Sequence, residues 1–419
     1  MGRLKRRLYF VAARWFWLFA MRSFRRWNPR VIMITGSVGK TTMLNLLATQ
    51  NLPAHFSHNA NSAFGVAFDI LGLDSIRGSR FRWVYLIFAC IKRSTTFTRR
   101  EKFYIVEVDA ERPREAGLIA SRLKPEVVLT TPIGLSHASF FDSLVERGRY
   151  KHAIDAIYDE FVNISKYATK LAIFSGRDHE IIDRTKLVRV EKDFVETKEI
   201  KSYHVTYSSA TFRTTKGEFK FPQPMPEEVS LQCLLCERLM GYLELPVIYN
   251  LEDFVVPPGR NNYFEGIHGT KLIDSSYNAH LISMQSVLGM VKKIRWNRKW
   301  LVISDIVQLG RAEREEHEKL AEVILSVGAE NVLLVGHRTA KYTYPKLKEA
   351  GQKTEQFADV REALAYLKKN LTGAELVVFK GSQYLEWLVE KLLMNPKDKA
   401  HLARREPAAV KRRKKKGLL

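Results

Sequence analysis

The stretch Ile32-Met33-Ile34-Thr35-Gly36-Ser37-Val38-Gly39-Lys40-Thr41-Thr42 narrows the possible folds of this chain more than any other feature. An apolar run enters a turn with two glycines and leaves it into the helical pattern Thr41–Gln50. That order reads as buried strand, tight loop and helix start, a unit that belongs at the carboxyl edge of a parallel sheet. Glycines let backbone amides face phosphate oxygens, and the helix start adds positive potential there. On this reading Gly36, Ser37, Val38, Gly39 and Thr42 are expected to form the cradle, Lys40 would reach the terminal phosphates, and the Thr41 hydroxyl would ligate Mg²⁺. Ile34 stands where the full pattern has its first glycine, so this is a shortened variant, T-G-x-x-G-K-T-T.

The rest of the pattern is α/β. Val31–Thr35, Phe103–Val108 and Val127–Thr131 read as buried strands, and Asp142–Phe161 reads as a helix. After the linker-like Val255-Val256-Pro257-Pro258-Gly259, a second unit offers the strands Lys271–Ile273, Trp300–Ser304, Asn331–Val335 and Leu376–Phe379 with helices between. The expected organisation is a basic amphipathic helix over 1–30, a phosphate-binding parallel-sheet domain over 31–257, a Rossmann-like α/β domain over 258–395, and a disordered basic tail over 396–419.

Charge is concentrated at the ends. The formal net charge is +23, yet residues 1–30 carry nine Lys/Arg and no acid, and residues 396–419 carry ten against Asp398 and Glu406. The body is therefore only mildly basic, and its composition does not call for a nucleic-acid groove. The ends favour an anionic surface, for which a membrane is the expected partner and nucleic acid the alternative. On a helix, Arg3, Arg7, Arg14, Arg22 and Arg25 fall to one side, while Tyr9, Phe10, Trp15, Phe16, Trp17, Phe19 and Phe24 crowd the remainder. This predicts a helix lying in the membrane interface, with docking on the protein's own body as the plainer alternative. Phe81–Ile91, flanked by basic residues, is a second aromatic stretch for the same surface. Three cysteines exclude a disulfide framework and fit a reducing cytosol. Cys233 and Cys236 have metal-ligand spacing without a second pair, so core packing is expected for them.

Further motifs follow in order, and together they resemble the Mur ligase family. His58-Asn59-Ala60-Asn61-Ser62 is similar to that family's asparagine-rich loop, which implies substrate contacts for Asn59 and Asn61. Glu107 stands at a strand end where the family has a Mg²⁺-binding glutamate. Thr130-Thr131-Pro132-Ile133-Gly134-Leu135-Ser136-His137 matches a segment whose histidine serves a second Mg²⁺, and Lys151 follows where many members carry a carbamylated lysine. Pro258-Gly259-Arg260 resembles an interdomain motif whose arginine contacts ATP. Asp274-Ser275-Ser276-Tyr277-Asn278-Ala279 resembles the segment that holds ribose and adenine, which implicates Asp274, Tyr277 and Asn278. Lys380-Gly381-Ser382 matches a later motif, and Lys380 and Ser382 are expected on the substrate side.

The resemblance implies an ATP- and Mg²⁺-dependent ligase that joins a carboxylate to an amine through an acyl phosphate, in peptidoglycan precursor synthesis. The branch that adds D-alanyl-D-alanine is the nearest match. Its partners would be ATP, a cell-wall precursor acceptor, and an amino acid or dipeptide. The body would be cytoplasmic and peripheral on the inner membrane face. Lys40, Glu107, His137 and Lys151 are the expected catalytic set. Two kinds of departure stand out: the phosphate loop begins about 35 residues in, where usual members first have a UDP-binding domain, and Asp109, Ser275 and Gln383 replace a glycine, an acid and an arginine. The alternatives are a folylpolyglutamate-synthase-like ligase, against which Lys40-Thr41-Thr42 speaks, and a catalytically silent nucleotide-binding membrane protein.

Overall fold

The computed structural model describes residues 3–58, 60–74, 81–110, 112–135, 140–176 and 179–418. His137 and Asn59 lie outside the described residues. Two compact units divide the chain. The first comprises 1–199 and 231–248, the second 200–230 and 249–419. The division departs from the expected 31–257 block, because the segment after residue 199 forms hairpins that belong to the second unit.

The first unit starts with α1 (Arg3–Trp27), β1 (Arg30–Thr35), α2 (Lys40–Ala48), β2 (Ala54–Ser57), α3 (Ala63–Ile70) and α4 (Phe81–Thr96). It continues with β3 (Phe103–Glu107), α5 (Glu115–Leu123), β4 (Val127–Thr130), α6 (Asp142–Val145), α7 (Ala153–Ser165), β5 (Leu171–Ser175), α8 (His179–Thr185) and β6 (Glu191–Val195). The strands make one six-stranded sheet in the order β2-β3-β1-β4-β5-β6, parallel throughout. Runs such as Phe103–Glu107 and Leu171–Ser175 are buried at every position, as parallel strands covered on both faces require. Val31 and Met33 pack into the same core as Phe16, Trp17, Val66, Phe68 and Ile119, while Ile32 and Ile34 alternate to the other face.

Two expectations change here. The helix expected over 142–161 is broken, because Gly148, at φ 66°, sits in a turn between α6 and α7. The N-terminal helix exists, but its inner face is core. Phe16, Trp17, Phe24 and Trp27 are buried against α3 and α4, and the Trp17 indole N–H donates to the Ala63 carbonyl at 2.9 Å. Its aromatics therefore dock on the protein's own body, the plainer of the two expectations. Among the described residues no helix is long and apolar enough to cross a membrane.

The second unit opens with the antiparallel strands β7 (Ser202–Val205), β8 (Ala210–Arg213) and β9 (Glu218–Phe221). α9 (Val229–Tyr242) then returns to the first unit from Leu231 onward, with Cys233 and Cys236 buried in it and their thiols pushed up by burial. The second sheet is built from β10 (Asn262–Glu265), β11 (Lys271–Ser275), β12 (Arg298–Ser304), β13 (Asn331–Val335), β14 (Thr354–Phe357) and β15 (Glu375–Lys380). Its order is β10-β11-β15-β12-β13-β14, with only β10 antiparallel.

The tail is folded rather than disordered. A helix spans Pro407–Lys415, Leu402 and Leu418 are buried, and Arg413, only 3% exposed, pairs with Glu390 at 2.6 Å. The charge run predicted solvation, but two leucines and a shared carboxylate give the segment a surface to fold against.

Candidate active site

Strand order places the phosphate loop. β1 lies between β3 and β4, so the chain leaves its carboxyl end where neighbouring connections run to opposite sides, the crevice at which open α/β sheets bind ligands. Gly36 and Gly39 take φ of 120° and 86°, which an L side chain rarely adopts. A Cβ at Gly36 would strike Thr131, and one at Gly39 would strike the Gln232 amide, so both glycines are also required by close approach. Ser37 ties the loop to β4's end, since its hydroxyl donates to the Gly134 carbonyl at 2.8 Å and its amide to the Pro132 carbonyl at 3.0 Å.

Lys40 is the first residue of α2 and is 6% exposed. Its ammonium donates to the Gly36 carbonyl at 2.6 Å and lies 3.4 Å from the Asp109 carboxylate. The amine is thus curled over the loop, held by a carbonyl and an anion that phosphate oxygens can replace. The Thr41 hydroxyl donates to the Glu107 carboxylate at 3.0 Å, and Glu107 closes β3 at 8% exposure. Two hard oxygen donors side by side at a phosphate loop fit Mg²⁺, which takes few protein ligands and completes its octahedron with water and phosphate. The Asp109 amide donates to the Asn61 carbonyl at 3.1 Å, fixing the asparagine loop beside the same strand end. Ser62 caps α3 by accepting from the Gly65 amide at 3.3 Å. Lys151 is exposed, in the turn that precedes α7 rather than within a helix.

In the second unit, the motif residues meet at the carboxyl ends of β11 and β15, where Asp274 and Ser275 pair with Phe379 and Lys380. The Tyr277 amide donates to the Gly259 carbonyl at 3.0 Å, and the Arg260 guanidinium lies 4.7 Å from the Tyr277 ring centre. Tyr277 and Asn278 themselves are exposed. Lys380 donates to the Asn278 carbonyl at 2.7 Å. Burial, then the nearby Arg260 charge, lower its amine to about 7 against a partial lift from Asp274. Asp274 is raised to about 6, chiefly by burial, although hydrogen bonds from Ser276 oppose the rise. One Asp274 oxygen accepts the Ser276 amide at 3.0 Å, and the other has no hydrogen-bond partner in the structure. The buried Ser382 hydroxyl likewise has none, while its amide donates to Ser304 at 2.7 Å.

Residues 259–383 match the family model for the glutamate ligase domain of the Mur ligases. The UDP-N-acetylmuramoyl-tripeptide–D-alanyl-D-alanine ligase of Rickettsia prowazekii is 25% identical over 388 residues, 87% of this chain and 78% of that protein. The chain thus resembles Mur ligases along most of its length, and its residues 259–383 carry their glutamate ligase domain. Its fold agrees with that of solved Mur ligases. MurF from Acinetobacter baumannii superposes with a TM-score of 0.71 at 19% identity, covering 89% of this chain and 78% of that one. MurF from Thermotoga maritima in complex with ADP gives 0.67 at 19% identity over 87% of this chain and 79% of that one. By this domain and these relatives the chain is an ATP-dependent ligase.

Three further residues support this site. Asp109 holds Lys40, Gln232 abuts Gly39, and Glu115, 1% exposed, accepts from the Ala63 amide at 3.0 Å and anchors the segment after the asparagine loop. Only Asp109 was reachable from sequence, as the acid two positions beyond Glu107; the others depend on packing.

Proposed function

We propose that this ligase joins the free carboxylate of a peptidoglycan-precursor peptide to the amine of D-alanyl-D-alanine. The observation that carries the reading is the cluster at the ends of β1 and β3: Lys40 over the loop, and Thr41 against Glu107. The relatives' names supply the substrate pair, and the ordered motifs of both units support it.

In this chemistry an acceptor carboxylate oxygen attacks the γ-phosphorus of ATP and ADP departs, leaving an acyl phosphate. The amine then attacks the acyl carbon, loses a proton, and inorganic phosphate is expelled. Both partners of the first step are anions, so catalysis rests on concentrated positive charge and positioning. Lys40 exchanges its bonds to Gly36 and Asp109 for phosphate oxygens, and Arg260 is assigned to ATP through its motif. Thr41 and Glu107 would hold Mg²⁺, which neutralises phosphate charge. Asp274, Tyr277 and Asn278 are assigned to the nucleoside, and Asn59, Asn61, Lys380 and Ser382 to the substrates. His137 and a carbamylated Lys151 are assigned to a second Mg²⁺; an unmodified ammonium would repel a cation there, and a carbamate supplies an anionic oxygen.

Location belongs to the same reading: a cytoplasmic body held at an anionic membrane surface through its basic ends, where Arg14, Arg22, Arg25 and Lys414–Lys416 are exposed. The test of function is ADP release and product mass with UDP-N-acetylmuramoyl-tripeptide and D-alanyl-D-alanine. Lys40→Ala is expected to lower turnover by at least about 100-fold, the scale of losing a preorganised charge. Unchanged turnover in that variant, or no product with this pair, refutes the reading.

A further inference from the structure

α4 is a helix whose outward side is apolar. Leu86, Cys90 and Ser94 form its buried stripe, and much of the remaining circumference is large and exposed. Phe88 is 67% exposed, Tyr85 62% and Val84 56%, with Ile91, Trp83 and Ile87 beside them. A solvent-facing helix normally puts charge on that side, and contiguous exposed apolar surface of this kind marks a binding face. Lys92 and Arg100 are exposed at its carboxyl end.

α1 lies alongside and runs the same way. Phe16 meets Trp83 near one end, and the Arg26 guanidinium donates to the Ser94 carbonyl at 2.7 Å near the other. The outer side of α1 mixes Leu8, Val11 and Leu18, each at least 60% exposed, with Arg14, Arg22 and Arg25. Neither helix contains an acidic residue.

We propose that the outer faces of α4 and α1 seat this protein on an anionic lipid bilayer, with Val84, Tyr85, Phe88 and Ile91 entering the interfacial layer. Two observations choose this occupant. Aliphatic side chains without polar neighbours find in acyl chains what a nucleic-acid backbone does not offer. Cations with no acid among them match a negative leaflet, whereas a second copy of the same face would bring like charges together. The inner sides of these helices hold the segment beyond the asparagine loop. Trp17 donates to the Ala63 carbonyl, Tyr9 bonds the Glu115 that receives the Ala63 amide, and Phe64 packs on Trp83 at 5.5 Å. Docking on this face therefore brings the acceptor segment to the lipid surface.

This inference rests on the proposed membrane location and deepens it by assigning an insertion face. The test is co-sedimentation of the full chain with vesicles of phosphatidylglycerol and phosphatidylcholine, and with phosphatidylcholine alone. Wild type should bind the anionic vesicles, and Val84→Asp with Phe88→Asp should bind at least 10-fold more weakly. Both sites are exposed, so the double variant should keep its circular dichroism, melting temperature and ADP release with a water-soluble acceptor. Binding that survives the double variant but is lost on reversing Lys414–Lys416 leaves the location standing and overturns the insertion face. Self-association or oligonucleotide binding abolished by the double variant, without vesicle binding, also overturns it. Loss of ligase activity in wild type, with vesicle binding intact, counts against the ligase reading and leaves this one untouched.

Discussion

At the end of β15, Lys380 is buried beside Arg260 and Asp274, and its ammonium has only backbone carbonyls to bond. An unfolded chain keeps that proton up to about 10.5, and the folded site releases it at about 7. Between those values unfolding takes up a proton, so this group makes stability rise with pH, and its full cost is present below about 7. Asp274 acts in the opposite sense at lower pH. Folded, it keeps its proton up to about 6, and stability falls as pH rises from about 3.8 to about 6. Lys380→Met removes the first effect, so the variant's melting temperature relative to wild type should fall as pH goes from about 6 to 9. Each kcal/mol should appear as roughly 2–4 °C in a domain of this size, and parallel pH profiles would exclude the buried-amine account. Lys151 provides a second residue-scale test. It is exposed and reachable by dissolved CO2, and Lys151→Ala should lose turnover and partly regain it with added short-chain carboxylates. A wild-type rate in Lys151→Ala rules the carbamate out.

At the scale of elements, α1 has two faces with different tasks. Its inner face buries Phe16, Trp17 and Ala20 against α3 and α4, and its outer face keeps Leu8, Val11 and Leu18 in solvent. Trp17→Ala removes a fully buried indole and its bond to Ala63, a loss of about 3–5 kcal/mol in urea unfolding. Leu18→Ala, one residue away, should stay within about 0.5 kcal/mol. Equal effects would contradict the packing. Deleting the helix consequently removes core, which makes point substitutions on the outer face the proper probe of surface binding. The helical period was legible in the sequence, but which side met the body was not, because aromatics serve a core and a membrane interface equally well.

Across the whole molecule, each unit closes its own sheet, and ends that read as appendages are folded into those units. The helix Pro407–Lys415 is held by Glu390, which accepts from both Arg405 and Arg413 at 2.6 Å. Burial alone raises Glu390, yet these two hydrogen bonds outweigh it and keep the carboxyl below its ordinary range. Its contribution is therefore present at neutral pH and lost as pH falls through the depressed value. Arg413→Ala should cost about 1–3 kcal/mol, since a charged hydrogen bond is removed while Arg405 still pairs the carboxylate. Limited trypsinolysis should then cut the 404–416 segment faster than in wild type, and an unchanged rate would mean the tail is held by its leucines alone.

The sequence by itself determined the phosphate loop, the α/β class and most sheet strands of both units, because strand–glycine–lysine spacing and buried apolar runs are local properties of the chain. It also singled out Glu107, Arg260, Asp274 and Lys380 through ordered motifs. Only tertiary structure decided that Asp109 pairs with Lys40, that Gln232 presses on Gly39, and that Glu115 fixes the segment after the asparagine loop. These partners lie up to about 190 residues apart along the chain, and no local pattern encodes which helix a sheet edge will meet. The tail shows the same division: its charge is local, and the carboxylate that folds it comes from another element.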